Sequence, residues 1–238
     1  MGRAYEVRKA SIQKTGAAKA KLYSMYAKEI YLATKSGGSD IDSNVFLKRL
    51  IEKAKKEQIP SDIIKRAIDK VNSGTNETYE KMRYELFGPA GSTIIVDCLT
   101  DNVNRSVSSI RAALNKCNSK MGVSGSVSFM YDNLCIISFI GLTDEETLEL
   151  LIDSGLEVED IETNANVITI YGSPNDFYEI KGAILKKIPD VTFEIEEIVM
   201  LPKEKINLVD ESLADFNKLL IMLDDIEDVQ NVYHNVSL

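Results

Sequence analysis

The residues best placed to do chemistry in this sequence are lysines that recur at a fixed spacing. Lys14, Lys21, Lys28 and Lys35 are each seven residues apart. On an α-helix this spacing places them on one face, with about 20° of drift per step and roughly 10 Å between successive positions. A row of long, flexible cations can contact successive phosphates without a shaped pocket. The spacing therefore predicts a phosphate-binding face, and the alternative is a solvated face opposite an apolar stripe.

Other cations extend this candidate set. Four lie close to the lysine row in sequence: Arg3, Arg8, Lys9 and Lys19. A fifth, Arg105, falls in the first turn of a predicted helix that Asp101 or Asn102 can cap. A cation there opposes the helix dipole, so Arg105 predicts an anionic partner. That partner is either one of the protein's own carboxylates or an external phosphate.

The charge of the chain is divided unevenly along its length. Residues 1–76 contain 16 Lys and Arg against 8 Asp and Glu, a net charge of +8. Residues 77–238 contain 12 Lys and Arg against 29 Asp and Glu, a net charge of −17, so the whole chain carries −9. Such asymmetry is typical of a protein whose basic module binds a polyanion and whose acidic remainder does not contact it. Two solvated surfaces that differ in sign are the alternative.

The sequence offers no catalytic or cofactor-binding constellation. GxSxG, Walker-type and HExxH motifs are absent, and the single histidine, His234, falls in the last predicted strand. Three acidic runs could in principle hold Mg²⁺, but alternating carboxylates on strands are usually a solvated face. These runs are Glu157–Glu162, Glu194–Glu197 and Asp224–Asp228. We therefore expect a non-enzymatic protein without a metal or other cofactor.

Cysteine usage and hydropathy indicate the compartment. Cys98, Cys117 and Cys135 form no CxxC pair, which suits a reducing cytoplasm and disfavours both disulfides and structural zinc. No stretch approaches the roughly 18 consecutive apolar residues of a membrane span. The start MGRAYEVRKASIQK lacks the apolar run of a secretory signal. We expect a cytoplasmic protein that does not enter a membrane.

The elements that must position the lysines are helical. Apolar residues at helical spacing predict helices over about 17–35 and 43–57, and a third that opens at Pro60-Ser61, with Ser61 as its cap. The run from Ser73 to Asn76 reads as a linker. Residues 1–76 are therefore predicted to form a basic helical domain.

Beyond residue 80 the period changes to that of an α/β protein. A type I turn is predicted at Gly88-Pro89-Ala90-Gly91, and Val127–Tyr131 alternates as a strand. Residues 133–202 give the order βαββαβ of a ferredoxin-like domain, whose first helix opens with a capping box at Thr143. The final helix and strand then return to complete a discontinuous α/β domain of residues 80–132 and 203–238. The predicted class is α+β with three domains.

Several segments resemble the YebC family, and within it a YeeN-like subgroup. They are GRAYEVRKASIQKTGAAKAK, EIYLATKSGG, IPSDIIKRAI, YELFGPAGSTIIVDCLTDNVNR and GVSGSVSFMYD, which span nearly the whole chain. The sequence departs from the family at Gly88-Pro89-Ala90-Gly91, where GPGG is usual. The resemblance implies the same three-domain plan and a regulator of gene expression that binds nucleic acid.

The resemblance leaves the nucleic acid open. The family is described as transcriptional regulators that bind DNA, whereas its mitochondrial relatives are translational activators. YeeN-like members resemble ribosome-associated factors that assist synthesis through proline runs, which would make ribosomal RNA the partner. No dimeric helix-turn-helix with base-reading side chains is evident, which favours RNA or the ribosome slightly. A module that senses a small molecule through the ferredoxin-like domain is the third hypothesis.

Overall fold

The computed structural model describes residues 16–74 and 77–238, which fold into two compact units. The first unit runs as far as Val127 and resumes at Ile206–Leu238, and the second is Ser128–Lys205. The helices between residues 16 and 72 fall in the same unit as the first β-sheet. The predicted boundaries of three separate domains therefore stay a prediction, while the α+β class is confirmed.

Three helices open the described chain: α1 (Gly16–Gly37), α2 (Val45–Lys56) and α3 (Ser61–Asn72). Their apolar stripes meet in one small core that includes Ile30, Leu47, Ile51 and Ala67. The three predicted helices are confirmed, because each sequence stripe is the face that becomes buried.

Side chains at the turns set where these helices begin. The buried Asn44 accepts a hydrogen bond from the Leu47 amide at 3.0 Å and donates to the carbonyl oxygen of Ala33 at 2.9 Å. It therefore caps α2 and ties it to the end of α1. The prediction that Ser61 caps α3 is wrong. Pro60 occupies the cap position in an extended conformation without a side-chain bond, and Ser61 is the first helical residue.

The rest of the first unit is two helices and a four-stranded antiparallel sheet, whose strands lie in the spatial order 120–121, 80–87, 93–100 and 229–234. Its elements are β1 (Glu80–Phe87), β2 (Thr93–Thr100), α4 (Val103–Asn115), β3 (Lys120–Met121), α7 (Asp210–Asp224) and β8 (Val229–His234). Alternate strand residues such as Leu86, Ile94 and Val96 form a core with Ile110 and Phe216. The predicted return of the last helix and strand to this module is confirmed.

The turn between β1 and β2 differs from the prediction. Ala90 has φ 51° and ψ 37°, the left-handed region, whereas a type I turn needs negative φ at that position. The amide of Ser92 donates to Pro89 O at 3.0 Å, and that of Gly88 donates to Ser92 O at 2.8 Å. These bonds fix the turn although alanine is strained in it.

Replacing Ala90 by glycine should therefore stabilise the protein. A left-handed conformation costs an alanine about 1–2 kcal/mol, which glycine avoids. The freer unfolded chain offsets about 0.4–1 kcal/mol of this gain. We expect Ala90→Gly to raise the free energy of unfolding by about 0.5–1 kcal/mol, measured by urea denaturation. Ala112→Gly, on the exposed face of α4, is the control and should destabilise by about 1 kcal/mol. A destabilising Ala90→Gly would contradict the strain.

The second unit has the order βαββαβ. Its elements are β4 (Tyr131–Ile140), α5 (Asp144–Asp153), β5 (Val158–Asn164), β6 (Val167–Gly172), α6 (Phe177–Lys187) and β7 (Phe193–Pro202). The sheet order β5-β6-β4-β7, antiparallel throughout, is that of a ferredoxin-like fold. The predicted capping box of Thr143 and Glu146 is present at the start of α5. Both predictions are confirmed.

One predicted strand is wrong. Ser128–Met130 forms a short 3₁₀ turn, and β4 begins only at Tyr131. The alternation of apolar residues there does not come from strand pairing. The amide of Val127 donates to the Glu85 carboxylate and not to a neighbouring strand.

Candidate nucleic-acid interface

The structure describes five of the nine predicted phosphate-binding residues. The other four lie outside the described residues: Arg3, Arg8, Lys9 and Lys14. Lys19 is exposed near the start of α1. The remaining four, Lys21, Lys28, Lys35 and Arg105, all contact acidic or carbonyl oxygens of the protein itself.

Lys28 is buried, with 8% of its surface exposed. Its Nζ atom lies 3.1 Å from Oδ1 of Asp228 and 3.7 Å from Oε1 of Glu227. Asp228, at 2% exposure, is buried in the turn between α7 and β8. The prediction that the lysines of α1 face solvent together is therefore wrong at Lys28. A charged amine in this position is held by its carboxylate partner.

Arg105 contacts the same carboxylate. Its Nη2 atom lies 2.8 Å from Oδ1 of Asp228, and its Nε atom donates to Oδ2 at 3.1 Å. Nη2 also donates to Asp101 at 2.6 Å. Hydrogen bonds to both carboxylates raise the pKa of the guanidinium. The anionic partner predicted from the helix dipole is therefore internal, while Asn102 caps α4 through the amide of Arg105.

Asp228 is thus the centre of a charged cluster. Ser106 Oγ donates to its Oδ2 at 2.9 Å, and the Asp228 carbonyl accepts from the Leu99 amide at 2.8 Å. Burial by itself would raise the pKa of this carboxyl group. The hydrogen bonds from Arg105, Ser106 and Lys28 outweigh burial and lower the pKa. The carboxylate is therefore ionised and joins α1, α4 and the α7–β8 turn.

Lys21 and Lys35 bind backbone oxygens at two other points of the first unit. Lys21 Nζ lies 2.6 Å from the carbonyl oxygen of Asp224, the last residue of α7, where the helix dipole favours a cation. Lys35 Nζ lies 2.7 Å from the carbonyl oxygen of Glu77 and 5.8 Å from the ring centre of Tyr31. Lys21, Lys28 and Lys35 therefore link α1 to the rest of the unit.

Other cations of the helical part remain on the surface. Lys53, Lys55 and Lys56 are exposed in the last turn of α2. We call these three residues the α2 basic end. Sequence reasoning included them in the charge total but did not select them, because they follow no regular period. Their position also complements the dipole of α2, so charge alone does not assign them a ligand.

The single histidine and the three cysteines are packed within the fold. The ring of His234 packs edge-on against Phe216, with centroids 5.2 Å apart. The three thiols are buried and form no disulfide with one another, and burial raises the pKa of Cys98 to about 12 and that of Cys135 to about 11. Among residues 16–74 and 77–238 no cluster of three acidic, histidine or cysteine side chains could hold a metal ion.

The second unit contains a cavity of about 690 Å³ whose lining includes Asp132, Glu159, Asp160, Tyr171 and Lys203.

Of the helices in the described part of the chain, none has the length and apolar character needed to cross a membrane.

Comparison with known proteins gives one family along the whole chain. Residues 3–74 match the TACO1/YebC protein N-terminal domain, and residues 79–236 match the TACO1/YebC second and third domain.

Individual relatives agree with the domain matches. A Vibrio parahaemolyticus protein named "Probable transcriptional regulatory protein VPA0011" is 47% identical over 238 residues, covering 100% of both chains. An Alteromonas mediterranea protein with a similar name is 44% identical, covering 99% of this chain and 98% of its own. The crystal structure of a conserved hypothetical protein, Aq1575 from Aquifex aeolicus, matches with a TM-score of 0.73 and 34% identity, covering 94% and 92% of the two chains. The predicted YeeN-like subgroup stays a prediction, and the chain belongs to the TACO1/YebC family.

Proposed function

We propose that this chain is a non-enzymatic regulator of gene expression that acts in the cytoplasm by binding nucleic acid. The relatives' name supports regulation of transcription. The observation that carries nucleic-acid binding is the net charge of +8 on residues 1–76, part of which is the exposed α2 basic end. Lys28 and Arg105 contribute to the architecture, because their charges are already neutralised by Asp228 together with Glu227 and Asp101.

The α2 basic end gives a direct test. The triple variant Lys53→Gln, Lys55→Gln, Lys56→Gln removes three exposed charges without touching the buried cluster. If each lysine contacts one phosphate of duplex DNA, the slope of log K against log salt becomes shallower by about 2–3. We expect weaker binding in fluorescence anisotropy titrations at several salt concentrations. Charge reversal at Lys28 is unsuitable because it disturbs a buried ion pair.

A matched control is the double variant Lys186→Gln, Lys187→Gln, which neutralises two exposed lysines on α6. It should leave the slope unchanged. Equal slopes for the wild type and the triple variant would remove the α2 basic end from the interface. Failure of the wild type to bind either duplex DNA or ribosomes at low salt would refute nucleic-acid binding altogether.

The same titrations distinguish DNA from RNA as the physiological partner. A promoter-binding regulator should bind one duplex sequence at least about a thousandfold more tightly than random duplex. The alternative, a translation factor that binds ribosomal RNA and assists elongation through proline runs, predicts co-sedimentation with ribosomes and no sequence preference on free duplex. In that case the triple variant should no longer co-sediment with ribosomes.

A small-molecule sensor is the third candidate function. The cavity in the second unit, at about 690 Å³, falls within the usual size range for ligand sites. Its lining mixes the carboxylates of Asp132 and Asp160 with the amine of Lys203, which suits a zwitterionic ligand more than an apolar one. A panel of amino acids that leaves the melting temperature unchanged would reject this candidate.

A further inference from the structure

A group of cations lies at the C-terminal end of α4, within the acidic part of the chain. Lys116 follows the last residue of α4, and Lys218 Nζ on α7 lies 3.5 Å from the Lys116 carbonyl oxygen. The charges of both amines, and that of Asp215, lie close enough to the Cys117 thiol to influence its pKa, which burial raises. Lys120 follows in β3 and is exposed like the other two. Within the described residues, no carboxylate forms an ion pair with any of these lysines.

An aromatic side chain lies beside Lys120. Phe87 at the end of β1 is the cross-strand partner of Lys120 and is 37% exposed. Directly opposed residues of an antiparallel pair project from the same face of the sheet. The ring packs against the backbone of Gly122, because a Cβ atom at this position would lie only 3.1 Å from Cε2 of Phe87. The ring is therefore supported on one side and open to solvent on another.

The loop that follows β3 is held rigidly next to this pair. Glu85 is buried, at 6% exposure, and its carboxylate accepts from the amides of Gly125 and Val127. Its carbonyl oxygen accepts from the Gly122 amide at 2.7 Å. The loop nevertheless presents Val123 with 76% of its surface exposed. A buried carboxylate that anchors an exposed loop fixes the shape of this edge before any partner arrives.

We propose that this edge of the sheet is a second nucleic-acid contact, which binds a single strand. We call it the β3 edge. It consists of Phe87, Lys120 and the loop Gly122–Ser126 on one face of the sheet, with Lys116 and Lys218 on the helices that cover the other face. An exposed aromatic ring beside an exposed lysine, with two more exposed lysines on the adjoining helices, is the chemistry that binds unpaired bases and their phosphates. Duplex bases keep their faces stacked, so the ring of Phe87 selects a single strand. The inference rests on the proposed function and adds the strand type and a second surface.

The test uses the full-length protein and an oligouridylate of about 12 nucleotides. In the variant Lys116→Gln, Lys120→Gln, the slope of log K against log salt should become shallower by about 1.4, from about 0.7 per single-strand phosphate. In Phe87→Leu, loss of one stacked base should weaken oligouridylate binding on the order of tenfold. Affinity for a duplex of the same length should not change in Phe87→Leu.

Controls separate this inference from the proposed function. The double variant Lys186→Gln, Lys187→Gln again serves as the matched charge control and should keep the wild-type slope. Each variant's melting temperature must stay at the wild-type value, and Phe87→Tyr, which keeps the ring, should restore binding if Phe87→Leu lowers it. Unchanged oligouridylate binding in both β3-edge variants overturns the second contact, even if the α2 basic end binds duplex. A wild type that binds no nucleic acid overturns both.

Discussion

Replacing Asp228 by alanine should lower the free energy of unfolding by about 3–5 kcal/mol. The substitution leaves Lys28, which is 8% exposed, with only the more distant carboxylate of Glu227. It also removes the buried acceptor of Arg105 and Ser106. A buried charge that loses its partner keeps the full cost of leaving water. Because a domain is stable by only about 5–15 kcal/mol, urea denaturation should show the midpoint falling by a large fraction.

Glu227 provides the matched control for Asp228. It is the adjacent residue, also contacts Lys28, but is exposed. Glu227→Ala should therefore change the free energy of unfolding by no more than about 1 kcal/mol. Similar effects of the two substitutions would show that the buried position of Asp228 does not matter, and the central role given to this residue would be wrong.

The contribution of Asp228 should also depend on pH in one direction. Its pKa is lowered in the folded protein, so the folded state holds the proton less tightly than the unfolded chain. The stabilisation is therefore complete above the unfolded pKa of about 3.9 and is lost as pH falls through the lower folded value. The difference between the wild type and Asp228→Ala should stay constant from pH 7 to about pH 5 and shrink below about pH 4. A difference that grows on acidification would contradict the assigned charge state.

The fold was largely accessible from the sequence because its elements carry local signals. The stripes around Ile30 and Leu47 have the period of a buried helix face, and Thr143 with Glu146 forms a capping box whatever surrounds it. β3 escaped prediction because a strand of two residues is too short to show alternation. The turn conformation of Ala90 also has no signal in residue type, since alanine rarely adopts positive φ.

The candidate site was harder to predict for a physical reason. Seven-residue spacing places Lys21, Lys28 and Lys35 on one side of α1, but spacing carries no information about what covers that side. Lys28 and its partner Asp228 are 200 positions apart in sequence. The sequence predicts that the acidic run Asp224–Asp228 is a solvated face, but the carboxylate of Asp228 is buried. The charge asymmetry of the chain is therefore partly a signal of internal pairing and only partly one of phosphate binding.

Glu85→Ala is the second substitution for which a large effect is expected. The Glu85 carboxylate accepts two amide hydrogen bonds from the loop, and bonds to a charged group contribute about 1.5 kcal/mol or more each. The variant also leaves the amide of Val127, a fully buried residue, without its acceptor. We expect the free energy of unfolding to fall by about 3 kcal/mol. Glu80→Ala, at an exposed position of the same strand, should change it by less than about 0.5 kcal/mol.

Hydrogen exchange would show whether Glu85 stabilises the loop in particular. In Glu85→Ala the amides of Gly125 and Val127 should exchange faster by a larger factor than those in the centre of β2, because only the loop loses its acceptor. Equal acceleration at all amides would mean that Glu85 stabilises the unit as a whole. In that case the loop is not separately preorganised, and the β3 edge depends on Phe87 and its lysines alone. A loop-specific effect, together with weaker oligouridylate binding at an unchanged salt slope, would mean that Glu85 contributes shape to the interface and its neighbours contribute charge.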